Sequence, residues 1–477
     1  MTQSVEIPLW LLMLILGFAL IAALDKVMIP SVRWFFRRRL ERVVARVNQR
    51  LERPIQPFKL ARRYDMIQRL IYDPMVSQAV SDHARAQGIP ESVAFEEAGR
   101  YAREIVPSFS ASAYFGFAIR AARFLSNALY RVRLGHQDEA GLKAIDPEAT
   151  VIFVMNHRSN MDYVLVTYLA AERSALSYAV GEWAQVWPLS GLIRAMGAYF
   201  IRRKSRNELY RKVLARYVRL ATDAGVTQAM FPEGGLSQSG ALMPPKLGLL
   251  KYIVDEFDPE GRDVVFVPVA LNYDRVLEDR ILVAAARDPK GRFKASIGVV
   301  TGKALKQVWL RATGRYHRFG YAAVSFGKPV SLRAVVARVD GDPTVPLARM
   351  LMRDIGAIVP ILPVPLVAWL VMQNGPMTRE EIELGFAKVL NMSPDAHTHL
   401  PRNNRVYAVE VGVRQLVERK ILRSERGRYV PDAGQVDILR FYANSIRHLM
   451  PTPAKVDSAV AKDYSAVAKD YSAVAGS

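Results

Sequence analysis

Val151-Ile152-Phe153-Val154-Met155 is an unbroken apolar run, and His157-Arg158-Ser159-Asn160-Met161-Asp162 follows it directly. A run of that length without alternation predicts a buried strand, and buried strands of this kind belong to sheets covered on both faces. A histidine and a carboxylate then stand five positions apart. On one regular helix they would point about 140° away from each other. They can meet only if His157 lies on the strand-to-helix turn and Asp162 in the first helical turn. Ser159 suits the N-cap of such a helix, which puts Asp162 at its third position. The same spacing also describes a capping-box carboxylate preceded by a loop histidine, and the pair alone leaves both readings open.

Three further segments follow the same plan. Gly197-Ala198-Tyr199-Phe200-Ile201-Arg202-Arg203 is a strand-like run ending on two arginines. Phe231-Pro232-Glu233-Gly234-Gly235-Leu236-Ser237 turns on two glycines after another such run. Val267-Pro268-Val269-Ala270-Leu271-Asn272-Tyr273 is a third, interrupted by a proline. Strand expectations are 150–155, 177–180, 197–201, 226–231, 264–271 and 321–326, with helices expected over 161–172, 205–223 and 246–256. Such alternation predicts an α/β fold, a central sheet flanked by helices with function collected at strand ends.

These four blocks, in this order, resemble the four motifs of the glycerolipid acyltransferase superfamily, whose first motif is HxxxxD. The nearest likeness is to the bacterial membrane-bound glycerol-3-phosphate acyltransferases. Pro244-Pro245-Lys246-Leu247-Gly248, Tyr101-Ala102-Arg103-Glu104-Ile105-Val106-Pro107 and Phe441-Tyr442-Ala443-Asn444-Ser445-Ile446 resemble that branch too. The likeness covers roughly residues 60 to 450 and implies a glycerolipid acyltransferase-type fold. It also implies transfer of an acyl group from acyl-CoA or acyl carrier protein to the sn-1 hydroxyl of glycerol 3-phosphate. In that chemistry His157 is the general base and Asp162 orients it. Backbone N–H groups near Gly234 and Gly235, or at the helix start after Ser159, are the candidates for the oxyanion. Many members carry an arginine after the two glycines of the third motif and further basic residues beyond it. This chain has Leu236, Gln238 and Ala241 there, which leaves Arg158, Arg202, Arg203 or Lys246 for the phosphate. Glu233 is expected to accept hydrogen bonds from glycerol hydroxyls or arginine, or to stabilise the turn. Ser237 completes the candidate substrate-binding set, and Pro268 is expected to shape the acyl pocket.

Of the chain's 477 residues, 66 are basic and 45 acidic, a formal charge of +21. That excess points to anionic partners: phosphorylated substrates, an acidic carrier, lipid headgroups or nucleic acid. The absence of cysteine excludes disulfides, a thiolate nucleophile and cysteine-ligated zinc. No cofactor fingerprint is found and no metal is expected. Gly298-Val299-Val300-Thr301-Gly302-Lys303-Ala304 has the wrong glycine spacing for a P-loop and alanine in place of the magnesium-binding hydroxyl. Ile7 to Leu24 is long enough to span about 27 Å as a helix, close to the bilayer's hydrocarbon thickness. Lys26, Arg33, Arg37, Arg38, Arg39, Arg42, Arg46, Arg50 and Arg53 follow it, with Trp34-Phe35-Phe36 among them. This reads as a retained anchor in the cytoplasmic (inner) membrane with the catalytic body on the cytoplasmic side and anionic lipid at its flank.

The expected organisation is a transmembrane anchor and basic juxtamembrane segment (1–54), a helical N-terminal region (55–140), the acyltransferase domain (141–340), a helical, winged-helix-like C-terminal region (341–450) and a disordered repeat tail (451–477). The basic stretch Arg280 to Arg318 reads as irregular. The run Ile355 to Met372 holds Pro360, Pro363 and Pro365 and is expected to be a buried or membrane-facing element, because prolines are costly inside a helix. Two rival functions remain. A lysophosphatidate acyltransferase would use the same base on a larger acceptor. A membrane-tethered nucleic-acid binder would use the charge and the winged-helix-like module, but leaves four motifs at strand ends unexplained, so no nucleic acid is expected as a partner.

Overall fold

The computed structural model of the chain describes residues 8–17, 38, 42, 44–170, 174–181, 185, 189–202, 207–287, 319–392 and 397–450. Arg203, the aromatic cluster Trp34 to Phe36 and the repeat tail therefore lie outside the described residues. So does most of the basic stretch after Arg287. Chain contacts divide it into two compact units. One comprises Met1–Ala122 with Thr167–Gln228, the other Arg123–Val166 with Ala229–Ser477.

In the first unit the helices Arg63–Ile71, Pro74–Gln87, Glu91–Ile105 and Glu208–Asp223 pack on one another. Each turns an apolar stripe inward: Ala94, Ala98, Tyr101, Ala102 and Ile105 on one, Leu209, Val213, Tyr217 and Leu220 on another. This is the three- and four-residue spacing of an amphipathic helix. Two parallel strands, Ser177–Gly181 and Tyr199–Ile201, complete the unit.

The second unit is built on a mixed sheet. Thr150–Met155 runs parallel to Val264–Tyr273, which pairs antiparallel with Tyr321–Phe326, and Arg131–Gln137 runs parallel to the last of these at the sheet edge. Every residue of Thr150–Met155 and of Val264–Tyr273 is buried, which is why both read as continuous apolar runs. The edge strand was expected to be helical. Its sequence, Arg-Val-Arg-Leu-Gly-His-Gln, is half-exposed and charged, the composition that edge strands use to avoid further pairing. A helix, Asp279–Arg287, opens the stretch that had no assignment.

The proline-rich run resolves into two helices separated at Pro360, Thr344–Ala357 and Pro363–Asn374. Pro363 opens the second helix, where its missing N–H costs nothing. That helix is buried on nearly every side, against the helices Arg405–Glu418 and Val436–Asn444. Among the described residues no helix is long and apolar enough to cross a membrane, and of the expected anchor, Ile7 to Leu24, only residues 8–17 are described. Residues 9–17 are helical and expose Leu9, Trp10 and Met13.

The winged-helix-like features are present. Thr378 and Glu381 form the expected capping box, with Thr378 N–H donating to Glu381 Oε2 at 2.9 Å and Glu381 N–H to Thr378 Oγ1 at 3.2 Å. The helices Arg379–Met392 and Arg405–Glu418 precede the hairpin of Leu422–Glu425 with Arg428–Pro431. Met377 bridges to Tyr429 as a third strand position. Helix Arg405–Glu418 lies so close to Pro363 that a Cβ at Gly412 would stand 2.8 Å from the Pro363 carbonyl oxygen.

Asp274 joins two parts of this unit. Its carboxylate accepts the Tyr321 N–H at 2.8 Å and the Val364 N–H at 2.9 Å. Burial outweighs these bonds and pushes the carboxyl up from 3.8 to about 7. The fold therefore favours the protonated form. Its contribution is complete below the unfolded value and is lost as pH rises through about 7. Between about pH 5 and about pH 8 the melting temperature of the protein, measured relative to Asp274→Asn, should fall. A constant difference across that window would mean that Asp274 stays ionised throughout.

Gly240 has φ +79°, and a Cβ there would stand 1.9 Å from the Phe441 carbonyl oxygen. Gly240→Ala should cost about 1–3 kcal/mol for the left-handed backbone alone, with the clash added. Urea titration of the variant reads this as a lowered midpoint, and an unchanged midpoint would refute the close approach.

Candidate active site

Strand Thr150–Met155 ends inside the second unit and the chain turns into helix Met161–Leu169. Asn156 lengthens the pairing past the strand end. Its Oδ1 accepts the Leu271 N–H at 2.8 Å and its Nδ2 donates to the Leu271 carbonyl at 3.0 Å, so the side chain imitates a ladder partner. Nothing in the sequence singled this residue out.

The turn then delivers His157 and Asp162 to each other. Asp162 Oδ2 lies 2.9 Å from His157 Nδ1 and accepts the backbone N–H groups of Arg158 at 2.7 Å and Ser159 at 3.0 Å. Ser159 Oγ accepts the Met161 N–H at 3.1 Å. The helix cap and the histidine partner are thus one carboxylate. Capping draws the side chain back over the turn, and the histidine sits where it arrives. A carboxylate only accepts, so Nδ1 carries the proton and the basic lone pair is on Nε2. Asp162 Oδ1 accepts a fourth bond, from Tyr273 Oη at 2.6 Å. Tyr273 closes the quoted fourth block but carried no assigned role. Burial and the neighbouring Asp162 charge push its hydroxyl pKa well up, so it remains a donor.

The imidazole is buried and stacks on Phe231, with ring centroids 4.0 Å apart and planes at 24°. Tyr163 meets it edge-on at 5.5 Å. Phe231 opens the third block. Two residues on, Glu233 accepts the His157 N–H at 3.1 Å through Oε1 and the Met243 N–H at 3.2 Å through Oε2. Ser237 N–H donates to the His157 carbonyl at 3.0 Å. These bonds tie the first and third blocks together. Of the two expectations for Glu233, turn stabilisation is the one the geometry displays. Burial pushes its carboxyl up to about 7 despite the Arg158 charge nearby.

The other expected residues are distributed as follows. Arg158 is 2% exposed and donates through Nη2 to the Ser445 carbonyl at 2.9 Å, pointing to the C-terminal segment. Ser237 is buried and its Oγ donates to the Ala241 carbonyl at 2.6 Å, so it closes the loop. Gly234 has φ +68° and takes the Lys246 stem over its bare Cα, with the Lys246 side chain exposed. Gly235 lies half-buried in the same turn. Pro268 sits opposite Val154 in the strand interior, before the strand end where Tyr273 meets Asp162. Arg202 belongs to the first unit. Its guanidinium is engaged by Glu104, Nε–Oε1 at 2.9 Å and Nη2–Oε2 at 2.6 Å, and lies over the rings of Tyr101 and Tyr210. Those bonds raise its pKa.

The helix start offers no spare donors for an oxyanion. Ser159 N–H is on Asp162, Asn160 N–H is on Glu278 at 3.3 Å and Met161 N–H is on Ser159. In the third block the Gly234 N–H closes a turn onto the Phe231 carbonyl at 3.0 Å. That expectation narrows to the Gly235 side of the turn.

A buried, carboxylate-oriented histidine at a strand end is an arrangement that can serve as a general base. The acyltransferase family profile matches residues 138–272, and the profile of the glycerol-3-phosphate acyltransferase C-terminal region matches residues 309–474. The chain thus carries an acyltransferase-like domain followed by a region like the C-terminal region of glycerol-3-phosphate acyltransferases. The glycerol-3-phosphate acyltransferase of Pseudomonas entomophila (strain L48) is 28% identical over 433 residues, covering 84% of this chain and 50% of that protein. The enzyme of the same name from Pseudomonas putida (strain W619) is 27% identical with the same coverage. That from Pseudomonas fluorescens (strain Pf0-1) is 31% identical over 280 residues, 57% of this chain and 32% of that protein. The chain spans about half the length of the first two relatives. Among solved structures, a 1-acyl-sn-glycerophosphate (LPA) acyltransferase from Thermotoga maritima matches over 50% of this chain and 74% of its own. Its sequence identity is 18% and its TM-score 0.31, too slight a likeness to carry an argument.

Two substitutions separate the bonds around Asp162. Asp162→Asn keeps an acceptor for one N–H but puts an amide where the imidazole needs a carboxylate. Tyr273→Phe removes only the bond to Oδ1. Turnover should fall steeply in the first and about 10-fold or less in the second, with melting temperatures close to the parent's. Unchanged turnover in Asp162→Asn would leave the carboxylate with a capping role only.

Proposed function

We propose that this chain transfers a fatty acyl group from an acyl thioester to the sn-1 hydroxyl of glycerol 3-phosphate, giving lysophosphatidic acid, the first step of phospholipid synthesis. The observation that carries the reading is the 2.9 Å contact of His157 Nδ1 with Asp162, which leaves Nε2 as the base. A hydroxyl is a poor nucleophile until its proton is removed. His157 Nε2 takes that proton as the oxygen attacks the thioester carbonyl. Asp162, held by Tyr273 and two backbone N–H groups, stabilises the imidazolium. The tetrahedral intermediate collapses, the carbon–sulfur bond breaks, and the departing thiolate takes the proton back from His157. No covalent enzyme intermediate is needed.

The negative oxygen of the intermediate falls to the Gly235 side of the third-block turn. Lys246 is the candidate for the phosphate within this unit, because its stem lies over Gly234 of the same turn and its side chain is exposed. Arg203 is a second candidate, outside the described residues. Arg202 would serve only by leaving Glu104. The donor is acyl-CoA or acyl carrier protein, and the charge of +21 suits both as well as anionic lipid. Attachment to the cytoplasmic membrane rests on the apolar run Ile7 to Leu24, its basic flank and the exposed apolar side chains of residues 9–17.

The test is acyl transfer to labelled glycerol 3-phosphate with each donor, run beside lysophosphatidate as acceptor. Glycerol 3-phosphate should be the better acceptor, and His157→Ala should lose about 10²–10⁴-fold in rate while remaining folded. Near-normal turnover of His157→Ala would overturn the mechanism. A clear preference for lysophosphatidate would assign the chain to the other acceptor.

A further inference from the structure

Glu278 lies outside the four blocks and is fully buried. Its Oε2 accepts a bond from Ser159 Oγ at 2.7 Å. Its Oε1 accepts the Asn160 backbone N–H at 3.3 Å and Asn160 Nδ2 at 3.1 Å. Ser159 and Asn160 belong to the turn between His157 and Asp162. That turn is therefore held between two carboxylates: Asp162 takes the N–H groups of Arg158 and Ser159, and Glu278 takes the Ser159 hydroxyl with the backbone and side-chain N–H groups of Asn160. Burial pushes the Glu278 carboxyl up, and the bond from Ser159 pulls it back.

Burying a second carboxylate beside the first is costly. Closing the turn does not require it, since Ser159 Oγ already caps the Met161 N–H. What Glu278 adds is two rigidly placed acceptors for the turn that carries His157 and Asp162. We propose that Glu278 is a positioning residue. Acting through Ser159 and Asn160, it holds Asp162 against His157 and favours the imidazolium.

This inference rests on His157 acting as the base proposed above, so the test pairs kinetics with a measurement that needs no substrate. The full chain is labelled with 15N-histidine, and His157→Ala identifies the resonance among the seven histidines. In Glu278→Ala the rate constant should fall about 10²-fold, the cost of a misplacement on the order of 1 Å. KM for both substrates should stay within about two-fold. The His157 midpoint should drop by about half a unit or more, because a displaced Asp162 stabilises the imidazolium less. Glu278→Gln, which keeps an acceptor for Asn160, should recover part of the rate. An unshifted midpoint in folded Glu278→Ala overturns the inference whatever the activity. If Glu278→Ala does not fold, Ser159→Ala, Glu278→Gln and their double variant decide. Losses that do not accumulate support action through Ser159, and losses that multiply overturn it. A parent protein that fails to acylate glycerol 3-phosphate would sink the functional reading, while the titration would still decide the role of Glu278.

Discussion

Four hydrogen bonds converge on the carboxylate of Asp162, and the site depends on them. Three reach Oδ2, from His157 Nδ1 and the backbone N–H groups of Arg158 and Ser159, and one reaches Oδ1, from Tyr273 Oη. A buried carboxylate without partners would neutralise itself. Here the four donors supply the hydrogen bonds that water would have supplied. The two N–H groups come from the turn that must form before the helix can start. Folding of that turn and assembly of the histidine pair are thus the same event.

Other buried acids repeat the device at longer range. Glu233 joins the third block to the His157 N–H, and Asp274 joins the start of a strand to the start of a helix. In each case a side chain from one segment satisfies backbone donors of another, across places where no ladder or helix could pair them. Tyr273 stands one residue before Asp274 and faces Asp162, so a single strand end serves both the catalytic pair and the framework. The C-terminal segment contributes through carbonyls: Ser445 receives Arg158, and Phe441 leaves room at Gly240 for hydrogen only. This is why motif-like residues near residue 441 matter to a site built near residue 157.

How much of this was legible depended on how each signal is encoded. The buried strands Thr150–Met155 and Val264–Tyr273 were readable because burial on both faces writes an apolar run, and the capping box at Thr378 because its spacing is local. His157 and Asp162 were readable as a pair, but capping and orientation competed as explanations. The structure shows one oxygen doing both, which no spacing argument could have decided. The edge strand Arg131–Gln137 was missed because its half-exposed charged residues carry no period. Tyr273 and Glu278 were missed as partners because each meets its target across more than 100 positions of sequence. Arg202 was read as a candidate for a phosphate at a strand end. Its partner Glu104, on a helix far upstream in sequence, could not be read from the motif.

On the proposed function, that pairing bears on how a site without the third-motif arginine would manage a phosphate. Leu236 occupies that place. Arg202 is held by Glu104, whereas Arg158 donates only through Nη2 to the Ser445 carbonyl, and its buried Nε and Nη1 have no hydrogen-bond partner among the described residues. A guanidinium with a good bidentate partner gives it up only for a stronger one. Lys246 differs in kind. Its stem lies over Gly234, which has no side chain to hold it off, and its side chain is exposed. An ammonium is a compact point charge on a flexible stem and needs no fork geometry to meet a phosphate. The absence of a side chain at Gly234 then has two consequences at once: a turn with φ +68° that only glycine adopts easily, and room for the Lys246 stem to lie over that turn. On this argument the phosphate is held less rigidly than an arginine would hold it, and acceptor selection falls more heavily on the shape of the site than on its charge.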